Sequence, residues 1–153
     1  MNEYNNLGGV FMKVIKNLST KDEIIDTFPV MSQLRTHLDL NAYVGLVMEA
    51  MEKEEYKLYA LVDADEIVAV VGFQPMITLY YGRYIWVCDL VTDASKRSSG
   101  YGEELLQFVE DWAKENKYEC IALSSGLQRT QTHRFYEEKM GYDKVSYVFK
   151  KEF

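Results

Sequence analysis

Residues 97–102, with the sequence RSSGYG, constrain the fold of this 153-residue chain more than any other segment. An apolar, strand-like run at residues 84–92 precedes them, and the pattern predicts an amphipathic helix beginning near Glu103. Small residues between a strand and a helix leave backbone N–H groups uncovered above the helix start. Because the helix dipole adds partial positive charge there, the turn suits a phosphate or pyrophosphate. We therefore expect a phosphate-bearing cofactor at this turn.

The rest of the chain predicts an α/β fold with a mixed, mostly antiparallel central sheet of six to seven strands, flanked by about four helices. Helices are predicted from Thr20 up to a break at Pro29, around residues 44–51, after the glycine turn, and at residues 130–140, before Gly141. Strand-like runs occupy residues 11–16, 56–62, 67–73, 84–92, 118–123 and 142–150, the third of them continuing irregularly toward residue 80.

The chain shows no internal repeat or interdomain linker. We expect a flexible N-terminal tail at residues 1–10 and a single domain at residues 11–153. No apolar run approaches the roughly 20 residues that cross a bilayer, and the N-terminus lacks the pattern of a secretory signal. A cytoplasmic protein without membrane contact is expected, and a net charge of −7 argues against a broad nucleic-acid interface.

Both cysteines, Cys88 and Cys120, lie in apolar strand-like runs. This favours buried, reduced thiols, with a disulfide or a catalytic thiol as the alternatives. The two histidines and the lack of CxxC or HExxH spacing argue against a metal site.

Taken alone, the glycine turn is weak evidence, since a Gly-x-Gly at a helix start is often only a steric convenience. It is not a P-loop, because GxxxxGK[ST] is missing, and it lacks the third glycine of a Rossmann fingerprint. However, the strand that ends in Asp89-Leu90-Val91-Thr92, followed by Arg97-x-x-Gly100-x-Gly102, resembles the acetyl-CoA motif of the GNAT N-acetyltransferase superfamily. The later Phe135-Tyr136 pair ahead of Gly141-Tyr142 resembles its second signature.

The resemblance implies an N-acetyltransferase that binds acetyl-CoA as cosubstrate and moves its acetyl group to a primary amine by direct attack in a ternary complex. Backbone amides of the turn would hold the pyrophosphate, and the end of the preceding strand would pair with the pantetheine arm. An exposed backbone N–H at the strand end would polarise the thioester carbonyl. The implied cofactor-binding residues are Leu90, Val91, Thr92, Arg97, Ser98, Ser99, Gly100, Tyr101, Gly102 and Glu103.

Two residues are candidates for proton transfer. By resemblance, Tyr136 would protonate the departing thiolate, the alternative being an ordinary core aromatic. Asp89 is a candidate base or water-positioning residue because it is a carboxylate in an otherwise apolar strand. It could equally orient a loop or hold the acceptor's charge. His133 is a weaker candidate for the base.

At position 129 the chain has Arg129, where many GNAT members carry an asparagine that contacts pantetheine. Arg129 could still bind a CoA phosphate. This departure favours the alternative function, a non-catalytic acyl-CoA sensor or interaction module on the same fold, whereas the intact glycine turn and Tyr136 favour the enzyme. Acceptor recognition is expected from the two N-terminal helices and residues 75–83. The acceptor, a small molecule or a peptide, could meet an aromatic wall, unless these are ordinary strand aromatics: Tyr43, Tyr80, Tyr81 and Tyr84. A homodimer is possible.

Overall fold

The computed structural model describes residues 13–153, so the predicted tail and the start of the first predicted strand, Phe11 and Met12, lie outside the described residues. Within residues 13–153, five strands form one sheet in the order β1-β2-β3-β4-β5, and neighbouring strands from β1 to β4 run antiparallel. The elements are β1 (Val14–Leu18), α1 (Lys21–Met31), α2 (Leu40–Lys53), β2 (Lys57–Asp63), β3 (Glu66–Thr78), β4 (Gly82–Thr92), α3 (Tyr101–Glu115), β5 (Cys120–Leu123) and α4 (Thr130–Arg134).

The predicted α/β class, the mixed sheet and the four helices are confirmed, whereas the predicted number of six to seven strands is wrong. Residues 67–78 of the run predicted at 67–80 belong to one long strand, β3, which ends before the turn at residues 79–81, and residues 142–150 form no strand in the structure of residues 13–153. Val, Tyr and Phe favour strands mainly by packing against cross-strand neighbours, and this segment has no ladder partner among residues 13–153. The composition of this segment is typical of a strand, but composition alone does not make the segment form one.

Pro29 does not break the first helix where the sequence predicted. It lies inside α1, which continues to Met31, and the two helices are separated by residues 32–39 instead. A proline removes one hydrogen bond to the preceding turn. Only two residues of α1 follow Pro29, so little helix depends on that missing bond.

The two faces of the sheet bury alternate residues of the same strands, as the pleat of a strand requires. Leu58 and Ala60 of β2 belong to a core shared with α1 and α2. Tyr59 lies between them, stacks on Phe73, and packs at a tilt against Phe108 of α3. One core therefore lies under α1 and α2 and the other under α3.

Internal contacts divide the chain into two compact units, Met1–Ala122 and Leu123–Phe153. In the second unit, α4 continues directly into a π-helical turn, Phe135–Lys139. Gly141 follows with a φ of +75°, and the Tyr142 amide donates to the Tyr136 carbonyl at 2.8 Å. This end matches the predicted stop of the last helix.

The start of α1 provides a test of local stability. Thr20 accepts a hydrogen bond from the Glu23 amide, and the Glu23 carboxylate accepts one from the Thr20 amide, which is a complete capping box. Thr20→Ala should lower the free energy of unfolding by about 1 kcal/mol, measured by urea denaturation. Ser19→Ala, whose hydroxyl takes no part in the box, is the matched control. Equal stability of the two variants would show that the cap contributes nothing.

Candidate active site

A β-bulge in β4 shapes the centre of the first unit. Asp89 is paired with Gly72 and Val87 with Phe73, so Cys88 has no partner in β3. An extra residue of this kind bends the strand and redirects the neighbouring side chains. Successive strand residues normally point to opposite faces, yet Cys88 and Asp89 both line one cavity. The bulge therefore brings a thiol and a carboxylate to the same face.

Asp89 is held by two side chains from distant parts of the chain. Its Oδ1 accepts a hydrogen bond from Arg35 Nε at 2.8 Å, and its Oδ2 accepts one from Tyr56 Oη at 2.7 Å. Arg35 Nη2 also donates to the Cys88 carbonyl at 2.8 Å, which the bulge removes from the ladder. We call Arg35, Tyr56 and Asp89 the carboxylate cluster.

Gly72 allows the carboxylate cluster to form. A Cβ at this position would collide with the Tyr56 hydroxyl and ring, so only a glycine lets the phenol cross β3. Burial raises the pKa of Tyr56 well above its usual range, and the negative charge of Asp89 raises it further. The phenol therefore stays protonated and remains a hydrogen-bond donor to Asp89 at neutral pH.

The carboxylate cluster borders a cavity of about 450 Å³ beneath α1, α2 and the segment that joins them. This volume is in the range of small-molecule sites, which is roughly 300–1,000 Å³. Its other walls are mostly apolar. They are formed by Met31, His37, Leu38, Tyr43, Leu46, Val47, Ala50, Gln74 and Cys88.

The Cys88 thiol is not a nucleophile in this setting. Burial, and next the charge of Asp89, raise its pKa to about 12, although Arg35 acts in the opposite direction. Both cysteines are free, and Cys120 is exposed rather than buried as the sequence predicted. These observations weigh against a cysteine-linked acyl intermediate, the catalytic-thiol alternative.

The glycine turn lies at the far end of β4. Ser98 and Gly100 both have positive φ values, of 69° and 79°, and Gly100 immediately precedes α3 without a side chain to cap it. A Cβ on Gly100 would meet nothing within 4 Å, whereas a Cβ on Gly102 would lie 3.3 Å from Thr92 Oγ1. Helix α3 therefore starts tight against β4, with open space above its first amides.

Side chains around the turn fix its position. Tyr101 Oη donates to Asp63 at 2.6 Å, so this phenol anchors the helix start to the end of β2. Glu104 is paired with Lys13 at 2.9 Å, which balances one carboxylate of the first helical turn. Arg97, Ser98 and Ser99 are exposed. The turn thus keeps an exposed cation beside the helix start, where an anion would bind.

The end of β4 extends beyond strand β5. The Glu119 amide donates to the Arg83 carbonyl at 3.2 Å, which places the start of β5 beside the start of β4. Four strand residues span about 13 Å, so β5 ends before it reaches Leu90. Among the described residues, Leu90, Val91 and Thr92 pair with β3 on one side only. An extended ligand could pair with their other side, as the sequence predicted for pantetheine.

The second unit carries the two remaining predicted site residues. Burial raises the pKa of Tyr136, and the charge of Arg129, which precedes α4, lowers this pKa by a smaller amount. The net effect is a raised pKa, so the Tyr136 phenol is protonated at neutral pH. His133 Nε2 lies 2.8 Å from the Gly126 carbonyl, a contact that ties down the loop before α4.

The structure brings Asp89, the strand end and the glycine turn together along β4 in the first unit, whereas Tyr136 and Arg129 belong to the second. The predicted aromatic wall is divided. Tyr80, Tyr81 and Tyr84 contact one another around the β3–β4 turn, whereas Tyr43 packs on Phe28 and lines the cavity.

Sequence reasoning missed Arg35 and Tyr56 as partners of Asp89. Gly72 was the available signal, because a glycine inside an apolar strand indicates a bulge or a close approach.

Within residues 13–153, no helix is long and apolar enough to cross a membrane, and no three acidic, histidine or cysteine side chains cluster as metal ligands would.

Comparisons with known proteins identify the family. Residues 19–142 match the model of the acetyltransferase (GNAT) family. The chain is 42% identical over 137 residues to YhdJ of Bacillus subtilis (strain 168), an uncharacterized N-acetyltransferase, and the match covers 90% of this chain and 96% of that one.

Two solved structures show the same fold. A GNAT family acetyltransferase of Staphylococcus aureus USA300_TCH1516 has a TM-score of 0.75 and 18% identity, with 92% of this chain and 98% of that one covered. The aminoglycoside N-acetyltransferase AAC(6')-Iy, solved in complex with CoA, has a TM-score of 0.79 and 11% identity, with 96% and 98% covered. The chain belongs to the GNAT acetyltransferase family.

Proposed function

We propose that this protein is an acetyl-CoA-dependent N-acetyltransferase that acetylates a primary amine by direct attack in a ternary complex. The observation that carries the proposal is the layout of β4. The strand has a carboxylate over a cavity at its bulge, unpaired backbone at its end, and an uncapped helix start directly beyond. Family membership supports acetyl transfer, and the fold neighbour AAC(6')-Iy was solved with CoA.

Acetyl-CoA would bind along the end of β4. The first amides of α3, the backbone of residues 97–100 and the Arg97 side chain would hold the pyrophosphate. The pantetheine arm would pair with Leu90, Val91 and Thr92 as an added strand. Arg129 would bind a phosphate of CoA. No metal takes part in this scheme.

The chemical step moves one acetyl group and two protons. The neutral amine nitrogen attacks the thioester carbonyl, whose oxygen accepts a backbone N–H at the strand end, and the C–S bond breaks as the C–N bond forms. The thiolate of CoA takes the proton of the Tyr136 phenol. The proton lost from nitrogen passes to Asp89, directly or through water that Asp89 positions. The Cys88 thiol stays protonated and takes no part.

Replacement of Gly100 tests the cofactor site. Gly100→Trp should abolish saturable acetyl-CoA binding in isothermal titration calorimetry, because the indole would fill the open space above α3. Gly82→Trp is the matched control, since Gly82 has a similar φ of +71° at the opposite end of β4. Wild-type affinity in Gly100→Trp would place the cofactor elsewhere.

Amine-dependent release of free thiol from acetyl-CoA tests the activity and the proton donor together. We expect the wild type to release thiol. In Tyr136→Phe, we expect a kcat about 100-fold lower than that of the wild type, with unchanged affinity for acetyl-CoA. Tyr147→Phe, an exposed tyrosine of the same unit, is the control.

Two outcomes would contradict the proposal. Acetyl-CoA binding without thiol release across a broad panel of amines would favour the alternative, a non-catalytic acyl-CoA sensor. Full turnover in Tyr136→Phe would remove this phenol from the mechanism.

A further inference from the structure

The charges that line the cavity restrict which amine can enter it. In the part of the chain that the structure describes, twelve residues line the cavity. Asp89 is the only one of these twelve that has a carboxylate. Its negative charge is already balanced by Arg35, whose Nε lies 2.8 Å from Oδ1. His37 is the other ionisable base of the lining. The cavity therefore carries no excess negative charge for a polycation.

The apolar walls of the cavity also disfavour a polycation. Eight lining residues are apolar or aromatic, and Tyr43, Val47 and Tyr56 among them are buried. Burial raises the pKa of Tyr43 to about 12, and its hydroxyl lies 2.7 Å from Thr27 Oγ1, so it provides no anionic partner. A charge placed against such walls loses its hydration without gaining a counter-ion.

We infer that the acceptor is a primary monoamine with an apolar body, and that polyamines and aminoglycosides are excluded. This rests on the acetyl transfer proposed above. The single amino group would lie at the carboxylate cluster, where the remaining lone pairs of Asp89 can accept its N–H bonds. The apolar body would lie in the cavity beneath α1 and α2, against Met31, Leu38, Leu46, Val47 and Ala50.

The net charge of −7 does not change this conclusion. A negative protein attracts cations of any valence from solution, which affects the rate of encounter. The stability of the bound state depends on the groups that face the ligand, and here these are mostly apolar. The acceptor class of this chain thus differs from the class that the name of AAC(6')-Iy gives for that protein.

A matched pair of amines tests the inference. The wild type should acetylate n-hexylamine with a kcat/KM at least about tenfold higher than hexamethylenediamine, which adds only a second ammonium to the same chain. Leu46→Glu places a carboxylate at the cavity wall. It should raise the kcat/KM for hexamethylenediamine, relative to that for n-hexylamine, by about tenfold. Met48→Glu, on α2 but outside the lining, should leave the ratio unchanged.

The outcomes separate this inference from the proposed function. Equal or faster acetylation of the diamine, of spermidine or of an aminoglycoside by the wild type would overturn the inference and leave acetyl transfer intact. If acetyl-CoA binds and no amine is acetylated, the proposed function fails. An NMR titration then decides the inference. Shifts of the Val47 and Ala50 amides with hexylamine, weaker with the diamine, would support it, and no shifts would overturn it.

Discussion

The hydrogen bonds of Asp89 to Arg35 and Tyr56 join three parts of the chain that are far apart in sequence. Arg35 lies 54 residues before Asp89 and Tyr56 lies 33 residues before it. The bulge at Cys88 turns the carboxylate toward the cavity, and Gly72 leaves room for the Tyr56 phenol. Without the bulge, Asp89 and Cys88 would face opposite sides of the sheet. The cavity and its charge balance depend on this local irregularity.

Strand β4 connects the proposed acceptor and cofactor sites. Its bulge holds Asp89, and three residues later Thr92 lies against Gly102 at the start of α3. Because both sites belong to one strand, their separation is set by covalent geometry, at about 3.3 Å per residue. The joining segment between α1 and α2 is fixed to the same region, since Gln33 accepts a hydrogen bond from the Ala94 amide at 2.8 Å.

The sequence predicted α3 and the β2–β3 hairpin from their clear hydrophobic patterns, and the glycine turn from its small residues. It also singled out Asp89 as a carboxylate in an apolar strand. Gly72 indicated a bulge or a close approach, but the sequence did not locate the bulge at Cys88, because strand register depends on pairing between residues 72 and 89. Nor could it link Arg35 to Asp89, since no local pattern records a contact of that separation. Residues 142–150 failed as a predicted strand because composition does not supply a partner.

The proposed role of Asp89 is tested by the kcat/KM for the amine in Asp89→Asn, measured together with the dissociation constant for acetyl-CoA in the same preparation. If Asp89 acts on the amine and not on the cofactor, as proposed, kcat/KM falls by about 100-fold and the dissociation constant stays unchanged. Asp111→Asn, on the surface of α3, should keep both values. Wild-type kcat/KM in Asp89→Asn would contradict the placement of the active site at this carboxylate.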